Sequence, residues 1–254
     1  MGKFNDRVGE IRKNNQSALM KIIEYNGCMD IKVEFIETGF IIKAQYSNFK
    51  SGKVKDPLTP SVCGIGYIGI GKFKPIINRK MTIEYKTWQH MLERCYDPNC
   101  INKNKNSAYQ DITVCKEWHN FQIFAQWHVD NWSKEVLDEI MNFDKDIIKR
   151  GNKIYGPEVC AFVPQPINNL LIKSDKSRGK CLIGVSFRNN QYESKLAING
   201  KRKFLGRYDT DLEAFNAYKI AKEEHIKNKA NEYKEYIPTQ IYDALMNYEV
   251  LKTD

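Results

Sequence analysis

Gly184-Val185-Ser186-Phe187-Arg188 alternates apolar and polar residues, Asn189-Asn190 interrupts the run, and Tyr192-Glu193-Ser194-Lys195-Leu196-Ala197-Ile198 resumes the same period of two. That alternation marks strands with one buried face. Asn199-Gly200 has the turn chemistry of a two-residue hairpin, which needs positive φ at residue 200. Lys201-Arg202-Lys203-Phe204-Leu205-Gly206 then supplies a third strand. In Asp209-Thr210-Asp211-Leu212-Glu213, Thr210 and Glu213 have capping-box spacing, so a helix is expected to begin there. Ala214, Ala217, Tyr218 and Ala221 recur at i, i+3, i+4, i+7, a narrow stripe that lets the helix lie close on one sheet face. Leu196 and Ile198 should point to that helix. Parity then puts Ser186, Arg188, Lys195 and Arg202 on the opposite face, with Lys201 and Lys203 one step out of phase.

Charge follows the same window. From Lys173 to Arg207 there are ten basic residues against two acidic ones, a local net of +8, whereas the whole chain carries 40 Lys and Arg, 31 Asp and Glu, and a net of +9. Dispersed charge solvates a surface. Charge concentrated on one sheet suits a phosphate backbone, where each neutralised phosphate releases a counterion.

Gly184-Val185, Phe204-Leu205-Gly206, Tyr208-Asp209-Thr210 and Glu213-Ala214 together resemble the ERF (Apetala)-type DNA-binding domain of plant transcription factors, relatives of which are appended to phage homing endonucleases. The resemblance implies a three-stranded sheet laid in the major groove of duplex DNA. Its DNA-binding residues would be Ser186, Arg188, Lys195, Lys201, Arg202, Lys203 and Arg207. Tyr192 and Phe204 stand where the plant domains usually have Trp, and Ser186 and Ala197 where they have Arg.

Upstream, Trp88, Met91, Leu92 and Cys95 follow helical spacing until Tyr96-Asp97-Pro98-Asn99 breaks it, and residues 97–107 read as a polar loop. Trp118, Phe121, Phe124, Ala125 and Val129 form the aromatic-rich face of a second helix. Arg94-Cys95-Tyr96, Val114-Cys115-x-x-Trp118, Tyr155-x-Pro157-Glu158-x-Cys160 and Asn168-Asn169 are similar to HNH-type homing endonucleases of phages. That resemblance implies a ββα finger in which a His is general base for a water while an Asp and a helix residue hold a divalent cation. The metal-binding Asp falls on Asp144, but the His position holds Lys145. The catalytic set it implies is therefore Asp144, Lys145, Asp146 and Asn168. Asp144 and Asp146 are the candidate Mg²⁺ ligands, completed by Asn168 or Asn169. Two neighbouring carboxylates favour a protonated Lys145, so weak or lost cleavage is expected. His119 or His128 would be the substitute base.

Other motifs carry less. Gly64-Ile65-Gly66-Tyr67-Ile68-Gly69 has the letters of a dinucleotide fingerprint, yet Ile70-Gly71-Lys72-Phe73-Lys74-Pro75 cannot open the helix that fingerprint requires. Alternating glycines there suggest an extended ribbon packed closely on something. The seven cysteines contain no CxxC pair, and they read as reduced thiols. Cys95, Cys100, Cys115 and Cys160 as a zinc set is the weaker alternative to core cysteine.

In the N-terminal 60 residues, Ala18–Tyr25, Met29–Phe35, Gly39–Lys43 and Asn48–Val54 read as four strands, a small β-barrel or curled sheet. Ile237-Pro238 precedes an amphipathic terminal helix carrying Ile241, Ala244, Leu245 and Tyr248. No apolar run reaches membrane-spanning length.

The expectation is thus an α+β, multidomain chain. Residues 1–60 form a small β domain and 61–79 a Gly-rich ribbon or linker. Residues 80–172 form an HNH-like domain with a helical and ββα core, 173–236 the ERF-type domain, and 237–254 a C-terminal helix. Functionally it reads as a phage-encoded, cytoplasmic DNA-binding protein of the bacterial host cell, with duplex DNA as partner and no membrane. The alternatives are an active metal-dependent endonuclease and a non-catalytic factor that binds RNA or a host protein.

Overall fold

The computed structural model describes residues 6–103, 111–132, 140–171, 181–198 and 200–253. Lys173, Asp175, Lys176, Arg178 and Lys180 of the basic window, Asn199 of the hairpin turn, and Asn104-Lys105-Asn106 of the polar loop lie outside the described residues. The chain is α+β, with several small sheets, and forms two compact units: residues 1–130 with 153–156, and residues 131–152 with 157–254. The division runs through the stretch 80–172. No helix among the described residues is long and apolar enough to cross a membrane.

The first unit opens with an antiparallel sheet ordered β1 (Ile11–Lys13), β2 (Leu19–Tyr25), β3 (Ile31–Phe35) and β4 (Ile41–Ala44). Met20 and Ile22 are the buried residues of β2, alternating with half-buried Leu19, Lys21 and Ile23, and meet Phe35 and Val33 across the ladder, so one face buries the core. β1 and β4 are unpaired edges: the sheet is open, and the barrel alternative is corrected. The fourth strand also differs from the expected one. Asn48–Val54 is not extended; Tyr46–Lys50 is a helical turn, α1, that drops Phe49 into the core before Gly52 (φ +70°) ends it. A single buried Phe is met as well by a helical turn as by a strand, and period alone does not separate them.

After a short hairpin, β5 (Ile76–Ile77) and β6 (Lys80–Met81), comes α2 (Ile83–Tyr96), capped by Thr82, whose Oγ1 accepts from the Tyr85 N–H. Trp88, Met91, Leu92 and Cys95 are buried on one stripe, as their spacing predicts. α2 stops at Asp97, but Pro98–Lys103 is a second short helix, α3, rather than loop: Pro98 ends one helix and serves as the first residue of the next. β7 (Thr113–Val114) leads through a 3₁₀ turn into α4 (Phe121–Asn131). Trp118, Phe121, Phe124 and Ala125 are buried, while Val129 is exposed, contrary to its place on the expected apolar face. β7 pairs in parallel with β9 (Ile154–Tyr155), which follows β8 (Met141–Asp144) in the chain.

The glycine ribbon is packed as its composition suggests. A Cβ on Gly66 would lie 2.4 Å from Leu92, one on Gly69 2.1 Å from Asn120, and one on Gly71 2.3 Å from Gln122. Gln122 donates to the carbonyls of Ile68 and Phe73 and accepts from the Phe73 N–H, so one side chain satisfies three ribbon groups.

In the second unit, β8 pairs antiparallel with β10 (Ala161–Pro164), and α5 (Gln165–Leu170) follows directly. β11 (Val185–Arg188), β12 (Gln191–Ile198) and β13 (Lys201–Tyr208) form an antiparallel sheet in chain order. The 22-residue α6 (Asp211–Glu232) serves both parts. Its first half buries Phe215 and Tyr218 against Leu196, and its second half buries Ile226 and Ala230 among Val163, Ile167, Ile241 and Leu245. α7 (Thr239–Met246) packs back on that second cluster, and Val250 returns to the first.

Candidate nucleic-acid interface

The third sheet has two unlike faces. Leu196 is 2% exposed beneath α6, whereas the open side carries mostly polar or charged residues, with Ala197 and Phe204 among them. The strands are aimed by three local devices. Asp211 at the start of α6 accepts the Leu182 N–H on both carboxylate oxygens, fixing the entry to β11. Gly184 sits at φ +76° with Tyr218 so near that a Cβ would lie 2.0 Å from the ring, so only glycine fits. The reciprocal capping box expected at Thr210 and Glu213 is present, with bonds of 3.2 and 3.1 Å.

Register assigns the open face. Glu193 lies opposite Ser186 and Arg207, Gln191 opposite Arg188, Lys195 opposite Phe204, and Ala197 opposite Arg202. Ser186, Arg188, Lys195, Arg202 and Arg207 therefore share this face. Lys201 and Lys203 pair with Ile198 and Leu196 and have the other parity, yet they are exposed on the edge strand. Gly200 has φ +75°, as the turn requires. Tyr192 and Ile198 are half-buried, and the Tyr192 ring lies tilted by 55° against Phe187, 4.8 Å between ring centres.

Two features were not read from sequence. Ser194 pairs with Gly206 while Lys195 pairs with Phe204, so Leu205 is the extra residue of a β-bulge, and Phe204 beside it, opposite Lys195 on the edge strand, is 52% exposed on the basic face. A glycine inside a strand is the signal that could have announced it. The second is Glu193, a buried carboxylate that accepts from Lys195 Nζ at 2.6 Å and Arg207 Nε at 3.2 Å. The Lys195 ammonium, helped by Arg207, holds this carboxyl below the usual glutamate range. Lys195 and Arg207 are thus held in place, and among the described residues Arg188, Lys201, Arg202 and Lys203 form no ion pair.

The residues matched to a catalytic finger are arranged differently. β8, β10 and α5 follow one another in ββα order, with Asp144 ending β8 and Asn168 on α5. Asp144 accepts the backbone N–H groups of Asp146 and Ile147 at 2.7 and 2.9 Å, and burial pushes its carboxyl above the usual aspartate range. Lys145 is only 7% exposed. Its ammonium donates to both carboxylate oxygens of Asp146 at 2.7 Å and to the Asn152 carbonyl at 2.9 Å, while Asn152 Nδ2 returns a bond to the Lys145 carbonyl. All three ammonium donors are engaged, so Lys145 acts as a brace and offers no lone pair to a water. Asp144 and Asp146 turn their carboxylates to these partners. Among the described residues no three His, Cys, Asp or Glu side chains converge as metal ligands.

His119 and His128 belong to the first unit. His119 Nε2 lies 3.2 Å from the Val114 carbonyl, and His128 is buried beside Phe124, burial lowering its pKa to about 4. The proposed zinc set spans both units, Cys160 being in the second. Comparison with protein-family models, curated proteins and solved structures finds no match.

Proposed function

We propose that this chain binds duplex DNA through the open face of the β11–β13 sheet, as a cytoplasmic phage-type protein related to HNH homing endonucleases whose cleavage chemistry is weak or lost. The observation that carries the reading is a small sheet with one face covered by α6 and the other presenting Arg188 and Arg202, which form no ion pair among the described residues, on the same face as a braced Lys195 and Arg207. Unpaired guanidiniums keep their fork of donors available for base edges or phosphates. Phe204, exposed near Arg202 on β13 and opposite Lys195, adds an apolar surface for a base methyl or sugar. The committed ammonium of Lys145 supports the non-cleaving form.

A second reading, an active Mg²⁺-dependent endonuclease, is favoured by the ββα order that puts Asp144 at the end of β8 and Asn168 on α5 of the same unit. Two assays decide between them. Titration of labelled duplex DNA and RNA with the wild type and the Arg188→Ala, Lys195→Ala, Arg202→Ala triple variant should show duplex binding that the variant loses by a hundredfold or more, at about 1–3 kcal/mol per base contact. Unchanged duplex affinity in the variant, or a clear preference for RNA, rejects the reading. Incubation with plasmid and Mg²⁺ or Mn²⁺ should leave the plasmid intact; cutting that disappears in Asp144→Ala establishes the enzyme instead.

A further inference from the structure

The hairpin β5–β6 stands out in the first unit because neither of its faces is covered. Every residue from Ile76 to Met81 is exposed, Ile76 and Met81 both at 56% and Ile77 at 52%, with Ile83 exposed just beyond. It is nevertheless firmly mounted. Thr82 donates its N–H and Oγ1–H to carbonyls of Lys74 and Pro75 while its Oγ1 caps α2, so the hairpin's base is tied to a helix that buries Trp88. Ile77 pairs with Lys80, and the two turn residues Asn78 and Arg79 have φ of +50° and +62°. Such a turn favours glycine at its second position. An arginine held there in the left-handed region keeps a guanidinium at the tip at a cost in backbone strain, a pattern found at functional sites.

Charge selects the partner. Residues 72–86 carry five basic side chains, Lys72, Lys74, Arg79, Lys80 and Lys86, with Glu84 the one acidic residue in that stretch. Among the described residues Lys74, Arg79, Lys80 and Lys86 make no ion pair. Exposed aliphatic side chains in a stretch rich in cations that form no ion pair among the described residues match a protein element that grips phosphates and slides an apolar wedge between base steps. We propose that the hairpin Ile76–Met81 is a second duplex-DNA contact, with Arg79 and Lys80 on the phosphates and Ile76 and Met81, cross-strand partners on one face, as the wedge. The proposal rests on the chain being a duplex-DNA binder and assigns the first unit its own part in it.

The full-length protein tests this with duplexes carrying 2-aminopurine. Arg79→Ala with Lys80→Ala should weaken binding about tenfold or more and make the logarithmic salt dependence shallower by about two units, one per lost phosphate. Ile76→Ser with Met81→Ser should abolish the 2-aminopurine rise that reports unstacking. Arg79→Gly should melt no lower than wild type, since it relieves the turn, yet bind more weakly, which separates a binding role from a structural one. Unchanged affinity, salt slope and fluorescence in these variants, while the sheet triple variant still loses binding, would overturn the hairpin assignment alone. If the sheet triple variant binds like wild type, it is the sheet reading that falls. Unchanged DNA binding with loss of vesicle binding or of self-association would assign the hairpin to a membrane or a second copy and overturn it too.

Discussion

The open face of the β11–β13 sheet and the β8–β10–α5 finger both bring charged residues together within one unit, yet they use them in opposite ways. On the sheet, one carboxylate steadies two cations and leaves two guanidiniums unpaired. In the finger, the Lys145 ammonium is consumed by Asp146 and Asn152, and one oxygen of the Asp144 carboxylate, Oδ1, accepts two backbone N–H groups. A charged side chain is chemically available only where its own fold has not already satisfied it. The contrast is what makes the sheet the candidate interface and the finger a scaffold.

The largest expected effect probes the support under the sheet. Leu196→Ala should cost about 2–5 kcal/mol of stability by opening a cavity beneath α6, read as a lowered midpoint in urea unfolding. A cost below 1 kcal/mol would mean the helix does not seal that face.

The next variant tests whether the finger's charge is structural. Lys145→Met should cost about 2–3 kcal/mol, because the Asn152 carbonyl loses a buried donor and Asp146 loses its partner; the half-exposure of Asp146 keeps the figure from being larger. A variant as stable as wild type would leave Lys145 free for another role.

Glu193→Gln asks the converse of the sheet. Releasing Lys195 and Arg207 should tighten non-specific duplex binding severalfold and steepen its salt dependence, since each freed cation can neutralise a phosphate. Weaker binding would show that Glu193 holds the cations in their productive geometry.

The smallest effects come from pH, and they have opposite signs in the two regions. Glu193 is held below its ordinary 4.5, so its contribution is present above that pH and is lost as pH falls through its folded pKa. Asp144 is raised above its ordinary 3.8, so ionising it costs stability as pH rises through its folded pKa. Urea unfolding between pH 3 and pH 6 (roughly the span of carboxylate titration) should therefore show Glu193→Gln with a flatter acid limb than wild type. Asp144→Asn, which keeps an Oδ1 acceptor for the turn, should gain relative to wild type as pH rises. Parallel curves for both variants would remove the electrostatic contrast.

Much of the sheet was legible before any coordinates. Alternation from Gly184 to Ile198 placed the strands, and the capping pair Thr210 and Glu213 placed the start of α6, because both signals are local and each residue's partner lies within a few positions. The same locality explains the failures. Asn48–Val54 offered one apolar anchor, Phe49, which a helical turn buries as well as a strand, and Pro98 was compatible with either loop or first helical turn. The finger was legible as a ββα order but not as a bracing network, since the Asn152 carbonyl that captures Lys145 is a backbone group with no signature in the sequence.

By itself the sequence determined the period, the turns, the caps and the concentration of positive charge, all of which depend on neighbours along the chain. Tertiary structure alone decided which charges are spent. Lys145 and Lys195 both have an acidic neighbour within two residues, but one ends in a closed cage and the other beside an open face. The difference lies in burial and in partners brought from elsewhere in the chain, Asn152 for one and Arg207 with Phe204 for the other. Desolvation and distant hydrogen-bond partners are properties of the packed molecule, and they set whether a cation is a brace or a binding group.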